Sequence, residues 1–250
     1  MNSMSARIHM RQPPQQPQHR LQKQQHAHRK LPGSGRGRAV LFDLDGVIFH
    51  HDEAMNKVSK RASDFISELI RTKHAEEINR RLYKGYGHTI IGLREEYNIN
   101  MSLQDFNEFI YDSDTLASVC KLPLPMSSAI KAMEARQAIQ AVKSAGHRCM
   151  VFTNAPKIWV DMALTTTGLL RHFKPEDILS AEDFTHVKPQ RQIYVDVSKK
   201  LKDLDITFID DSLLNVANAP AEWDAYLYGG NHTTFPTYIR SVTELFSSED

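Results

Sequence analysis

Three short apolar runs each stop at a polar side chain. Ala39-Val40-Leu41-Phe42 runs into Asp43, Met150-Val151-Phe152 into Thr153, and Ile206-Thr207-Phe208-Ile209 into Asp210. Runs of this length without sustained polar alternation predict strands buried on both faces. Before the second run, Ala135, Ala138, Ile139, Val142 and Ala145 recur on one helical face, and Gly146 supplies a stop. Alternating strand and helix predicts an α/β fold, a Rossmann-like doubly wound parallel sheet with helices on both faces. Ligands of such sheets bind beyond the carboxyl ends of the strands, so Asp43, Thr153 and Asp210 are expected to share one cleft.

A second helical pattern follows the first strand. Met55, Val58, Ala62, Phe65, Ile66 and Leu69 lie on one face, inside a stretch from 51 to 125 that is too long for a simple crossover. It is expected to be an inserted α-helical cap. The expected division is therefore a tail over 1–38, a core over 39–50 and 126–250, and a cap over 51–125.

Composition separates the tail from the rest. Of 31 Lys and Arg residues, eight fall within 1–38, which holds no acid, leaving 23 against all 30 Asp and Glu. The tail is rich in Gln, Pro and His with little to bury, so disorder is the physical expectation. A basic, acid-free amino terminus also suits an organelle address or an RNA-binding arm. The body carries net negative charge, so a phosphate site there must supply its own positive charge, and bulk charge nominates no nucleic-acid enzyme. Two cysteines, one in the apolar run at Cys149, argue against a disulfide framework and for a reducing compartment, with cytoplasmic location the expectation. No apolar run approaches the roughly 20 residues that span a bilayer. Oligomeric state is not written in the chain.

Asp43-Leu44-Asp45-Gly46 sets two carboxylates two residues apart on a turn directly after a strand, a pairing able to divide the work of nucleophile and proton carrier. A calcium loop is excluded because Val47 occupies a ligand position and Ala54 stands where the closing Glu belongs. Thr153-Asn154 ends the second run, Lys188-Pro189 follows a helix and loop, and Asp210-Asp211-Ser212 ends the third. Singly, Thr153 or either late Asp reads as a helix cap and Lys188 as a solvated charge. Jointly, and in this order, they read as a site: a carboxylate can approach a phosphate dianion only where a divalent cation and a lysine offset the repulsion. His50 and His51 read as surface residues at the cap hinge, because no second Cys or His cluster has ligand spacing. Asn215 reads as a brace for the acidic loop.

Over residues 39–250 this arrangement resembles the haloacid dehalogenase superfamily. The resemblance implies that Asp43 attacks phosphorus and that Asp45 protonates the leaving oxygen and then activates water. It implies that Leu44, Thr153, Asn154 and Lys188 hold the phosphoryl group, and that Mg²⁺ is bound by Asp43, Asp45, Asp210 and Asp211. The dehalogenases that name the superfamily lack an acid at the position of Asp45, so the resemblance implies phosphoryl transfer.

The cap segment from Tyr83 to Leu93 looks like that of the pyrimidine 5′-nucleotidase branch, and Asp210-Asp211-Ser212 is typical of the same branch. That resemblance implies a nucleotide substrate, with Tyr86, His88 and Thr89 as candidate contacts. Gly46 departs from the branch and is closer to the sugar-phosphate phosphatases and mutases. The alternatives are accordingly a sugar-phosphate or pyridoxal-phosphate phosphatase, a phosphomutase, or a noncatalytic binding protein of this fold.

Overall fold

The computed structural model describes residues 37–229 and the backbone of 238–239. The tail before residue 37 lies outside the described residues, as does the expectation of its disorder.

The sheet has six parallel strands in the order β3-β2-β1-β4-β5-β6. They are β1 (Arg38–Phe42), β2 (Arg148–Phe152), β3 (Ile178–Leu179), β4 (Asp205–Asp210), β5 (Asp224–Tyr228) and β6 (Tyr238–Ile239). β1 is central, with Phe42 level with Val151 of β2 and with Ile209 of β4. The chain steps from β1 to β2 on one side and later to β4 on the other. This reversal opens a crevice at the carboxyl end of β1, where Asp43 stands.

The side-chain period of two divides the core. Val40 and Phe42 face a layer that includes Ile139, Val142, Trp159 and Val160, from α6 (Met126–Ser144) and α7 (Lys157–Thr166). Ala39 and Leu41 face Ile193, Tyr194, Val197 and Val216, from α8 (Arg191–Lys200) and α9 (Leu213–Asn218). Burial on both faces is why these strands carry unbroken apolar runs.

Arg38, assigned to the tail by its charge, instead opens β1. It is buried because its guanidinium donates to Thr207 Oγ1 (2.6 Å) and to Asp224 Oδ2 (2.6 Å). The strand thus begins one residue before the expected boundary.

Between β1 and α6 lie five helices, α1 (Asp52–Ile70), α2 (Ala75–Tyr86), α3 (Thr89–Tyr97), α4 (Leu103–Ile110) and α5 (Ser113–Cys120). They share their own aromatic packing, with Phe65 against Phe106 (5.3 Å) and Phe109 (5.0 Å). His51 is buried, against the expectation of a surface residue: its Nδ1 accepts from the Ala54 N–H (3.4 Å) and caps α1. His50 is half-buried, and its Nε2 meets the Val47 carbonyl at 3.1 Å.

Candidate active site

The residues that close the strands converge as their positions require. The Asp43 N–H donates to the Ile209 carbonyl (2.8 Å), extending the β1–β4 ladder by one residue and fixing the backbone from which its carboxylate projects. Oδ1 of that carboxylate accepts from the Leu44 N–H (2.8 Å) and lies 3.0 Å from Lys188 Nζ. The same ammonium donates to Asp210 Oδ2 (2.6 Å) and the Phe152 carbonyl (2.8 Å), so its three N–H bonds meet three acceptors. Asp210 is fully buried and receives two more donors, the Ser212 N–H (2.8 Å) and the Asn215 amide (3.0 and 3.1 Å). Asn215 is held in turn by the Tyr194 hydroxyl on its carbonyl (2.9 Å).

Asp211 is exposed, and its carboxylate closes over the first turn. A Cβ on Gly46 would stand 2.1 Å from Asp211 Oδ2, and Gly46 has φ +81°, so glycine is needed there twice over. The turn itself is tied by the Gly46 N–H to the Phe49 carbonyl (2.9 Å) and the Phe49 N–H to the Leu44 carbonyl (2.7 Å). This geometry leaves Asp45 facing the cleft side of α7, where the Trp159 indole N–H donates to its Oδ1 (2.9 Å).

Electrostatics follow from crowding four acids around one lysine. Burial raises the Asp43 carboxyl well above the carboxylate range, with Lys188 opposing and Asp210, Asp211 and Asp45 adding to the rise. Asp211, exposed as a residue but with protein crowded around its carboxyl, is pushed up to about 7 by that desolvation and then by Asp210. Asp45 is pushed up to about 6 by burial, against the Trp159 hydrogen bond and Lys188. Burial pulls the Lys188 ammonium down, but Asp210 and Asp43 reverse that and keep it charged.

Oxygens of Asp43, Asp210 and Asp211 lie within 4.8 Å of one another. Three converging hard oxygen donors, one of them brought in where Gly46 lacks a Cβ, fit a small divalent cation. The Asp45 side chain, whose Oδ1 accepts from Trp159, lies outside this cluster of the four carboxylates expected to bind the ion.

The phosphate-binding expectations divide. Thr153 is buried at the end of β2, and its Oγ1 accepts from the Ala155 N–H (3.0 Å) while keeping its own proton to donate. Leu44 turns its N–H to Asp43. The Asn154 side chain is engaged elsewhere: its amide donates to the Gly87 carbonyl (3.0 Å) and the Lys188 carbonyl (2.7 Å), and its oxygen accepts from the Lys188 N–H (2.8 Å). It clamps the lysine loop and the cap to the core.

The expected cap contacts require correction. The Tyr86 hydroxyl donates to Glu96 (3.1 Å), and its ring presses on Gly92, where an added Cβ would lie 2.8 Å away. The Thr89 hydroxyl donates to Asn79 Oδ1 (2.7 Å) in the cap interior. His88 is buried edge-on to Phe106 (5.6 Å), and burial pulls its imidazole down to about 4, so it is neutral. These side chains hold the cap together. What the segment offers the core is Gly87, where a Cβ would stand 2.1 Å from the Lys188 carbonyl and φ is +73°. Gly87→Ala is therefore expected to lower the melting temperature and to cut turnover by displacing Lys188. Gly85→Ala, one turn position away with nothing within 4 Å, should be neutral or stabilising by about 0.5–1 kcal/mol. Equal behaviour of the two variants in thermal melts and rate assays would refute the docking role.

The cap hydroxyls that respond to the site's carboxylates include those of Tyr83 on α2 and Tyr111 at the α4–α5 junction. Surrounding protein, then Asp45, Asp43, Tyr111 and Asp211, raise the Tyr83 hydroxyl well above the phenol range, yet the residue as a whole is 55% exposed. A group crowded by protein and open to water lines a cleft. Burial and then Asp45 raise Tyr111, whose ring lies 5.4 Å from Trp159. Neither Trp159, after Lys157-Ile158, nor Tyr111, between Ile110 and Asp112, stands in a recognisable local motif.

Solved structures share this fold. A candidate β-phosphoglucomutase of Bacteroides vulgatus aligns with a TM-score of 0.57 at 20% identity, over 85% of this chain and 87% of that one. A HAD phosphatase of Thermococcus onnurineus aligns at 0.52 and 22% identity, over 83% and 95%. A dehalogenase in complex with an intermediate aligns at 0.51 and 18% identity, over 84% and 96%. An uncharacterized protein of the fgs 3′ region in Lacticaseibacillus casei is 32% identical over 85 residues, 34% of this chain and only 39% of that protein. Residues 38–219, which carry every strand-end acid and Lys188, match the haloacid dehalogenase-like hydrolase family, and the chain belongs to it.

Proposed function

We propose that the protein is a magnesium-dependent phosphomonoester hydrolase that passes through an aspartyl phosphate on Asp43, with a pyrimidine nucleoside 5′-monophosphate as substrate. The observation that carries the chemistry is the pairing of Lys188 with Asp43 and Asp210, the clustering of both carboxylates with Asp211, and a separate acid, Asp45, two residues beyond the nucleophile. In the first step an Asp43 oxygen bonds to phosphorus as the ester P–O bond breaks. The electron pair goes to the leaving oxygen, which takes the Asp45 proton. In the second, Asp45 removes a proton from water, the water oxygen bonds to phosphorus, and inorganic phosphate leaves with Asp43 restored. Lys188 and the Thr153 hydroxyl hold phosphoryl oxygens, the lysine releasing one of its present acceptors to do so. Magnesium, when bound by Asp43, Asp210 and Asp211, supplies the positive charge that lets the dianion approach the carboxylates.

The substrate reading rests on Tyr83 and Tyr111. Two phenols facing the acid suit an uncharged heterocycle on a sugar, through an aromatic face and hydroxyl hydrogen bonds. The test is a panel of phosphomonoesters with magnesium and with EDTA. Uridine and cytidine monophosphate should be turned over ahead of purine nucleotides and sugar phosphates, and EDTA should abolish hydrolysis. Tyr83→Ala should weaken kcat/KM for uridine monophosphate about tenfold more than for p-nitrophenyl phosphate. Preference for a sugar phosphate, or an equal loss on both substrates, would refute the substrate reading.

A further inference from the structure

Asp45 differs from Asp43 and Asp210 in that the donor-only side chain on one of its oxygens is an uncharged indole, where theirs is the Lys188 ammonium. The Trp159 indole N–H lies 2.9 Å from Asp45 Oδ1. An indole N–H has no acceptor capacity, so the oxygen it meets must be the unprotonated one. A carboxylic acid so held carries its proton on the other oxygen.

The indole is in no position to let go. Trp159 is fully buried in the first turn of α7, with its backbone N–H donating to the Pro156 carbonyl (3.0 Å). Phe49, from the turn that follows Asp45, meets the ring edge-on at 5.7 Å and 86°. Tyr111 of the cap packs on it at 5.4 Å and 54°. The ring is thus wedged between the catalytic turn and the cap.

We propose that Trp159 is the positioning residue of the proton carrier: by pinning Oδ1 of Asp45 it confines the transferable proton to Oδ2, and so aims it at the leaving oxygen. The inference rests on the role given above to Asp45. Its consequence is specific to proton delivery. As the P–O bond breaks, the electron pair arrives on the leaving oxygen, and an acid free to rotate presents its proton only part of the time. When water later gives up a proton, Oδ2 is again the oxygen that takes it. A tryptophan that merely filled the core would affect all substrates alike.

The experiment compares phenyl phosphate with p-nitrophenyl phosphate, whose leaving groups are close in shape but differ in their need for a proton. In the full chain, Trp159→Phe keeps the aromatic packing and removes the N–H. It should lower kcat for phenyl phosphate about tenfold more than for p-nitrophenyl phosphate, with KM changed by less than about threefold. Asp45→Asn should show the same skew, and Trp159→His, which can donate again, should recover part of it. Skew in Asp45→Asn with none in Trp159→Phe overturns the inference alone. No skew in either variant overturns the assignment of Asp45 and the inference with it. Should Trp159→Phe fail to fold, the parent protein still decides: of its two tryptophans, one indole N–H resonance should shift on Asp45→Ala. If neither shifts, the hydrogen bond is absent in solution and the proposal fails.

Discussion

Asp43→Asn is expected to reduce turnover by about 10³-fold or more while leaving the metal-free protein as stable as the parent or more so. The amide keeps the size of the carboxyl group and its contact with the Leu44 N–H, but it is a poor nucleophile and a weak ligand. The stability half follows from the electrostatics. Burial raises the folded-state Asp43 carboxyl well above its unfolded value, so the folded protein binds the proton more tightly than the unfolded chain. Such a group costs stability above its unfolded range of about 4, and the cost vanishes as pH falls below it. In EDTA the melting temperature of Asp43→Asn should exceed the parent's near pH 7, and the gap should close toward pH 4. A variant that melted well below the parent at pH 7, or that kept activity within tenfold, would sink the assignment of Asp43.

Lys188→Met should have the largest effect of the opposite kind. The ammonium is the shared partner of Asp43 (3.0 Å) and Asp210 (2.6 Å), and it is almost wholly buried. Removing one member of a buried ion pair leaves charge with no compensation, at a cost of about 3–5 kcal/mol. Methionine fills the stem's volume against Phe152 and Phe208, so the loss reports charge more than packing. Turnover should fall about 10²–10³-fold, because the developing phosphoryl charge loses its fixed cation. Thermal melts should show a deficit that is largest in EDTA and partly recovered by magnesium, since a cation among Asp43, Asp210 and Asp211 replaces some of the missing charge. A deficit independent of magnesium would argue that these carboxylates do not hold the ion.

Both predictions depend on Asp210 and Asp211 being different in kind. Asp210 is the buried anchor of Lys188, Ser212 and Asn215, while Asp211 stands exposed over Gly46. Adjacent residues at a strand end point to opposite sides, so one acid organises the loop and its neighbour faces the cleft.

The central strands and the acids that end them could be read from the chain alone. β1, β2 and β4 are buried on both faces, and that condition by itself writes an uninterrupted apolar run followed by a polar stop. Asp43, Thr153 and Asp210 then fall at one end of one sheet, because parallel strands bring their carboxyl ends together whatever the chain between them does, and the loop before α8 brings Lys188 to them. β3 and β5 were not legible in the same way. β3 is two residues long, and β5, Asp224-Ala225-Tyr226-Leu227-Tyr228, is half-buried at Asp224 and Tyr226 and lies next to the edge strand β6. Tertiary structure alone decided which side of each cap helix meets the core. Tyr83 and Tyr86 are three residues apart on α2, and either could have faced the acids. The docking of Gly87 on the Lys188 carbonyl sets the helix phase, turning Tyr83 to the cleft and Tyr86 onto Gly92. Trp159 reaches Asp45 across 114 residues of sequence, and its N–H finds that partner only because α7 starts beside the turn that follows β1. Patterns within one element record how that element is buried; contacts between elements depend on how they dock, which no local pattern encodes.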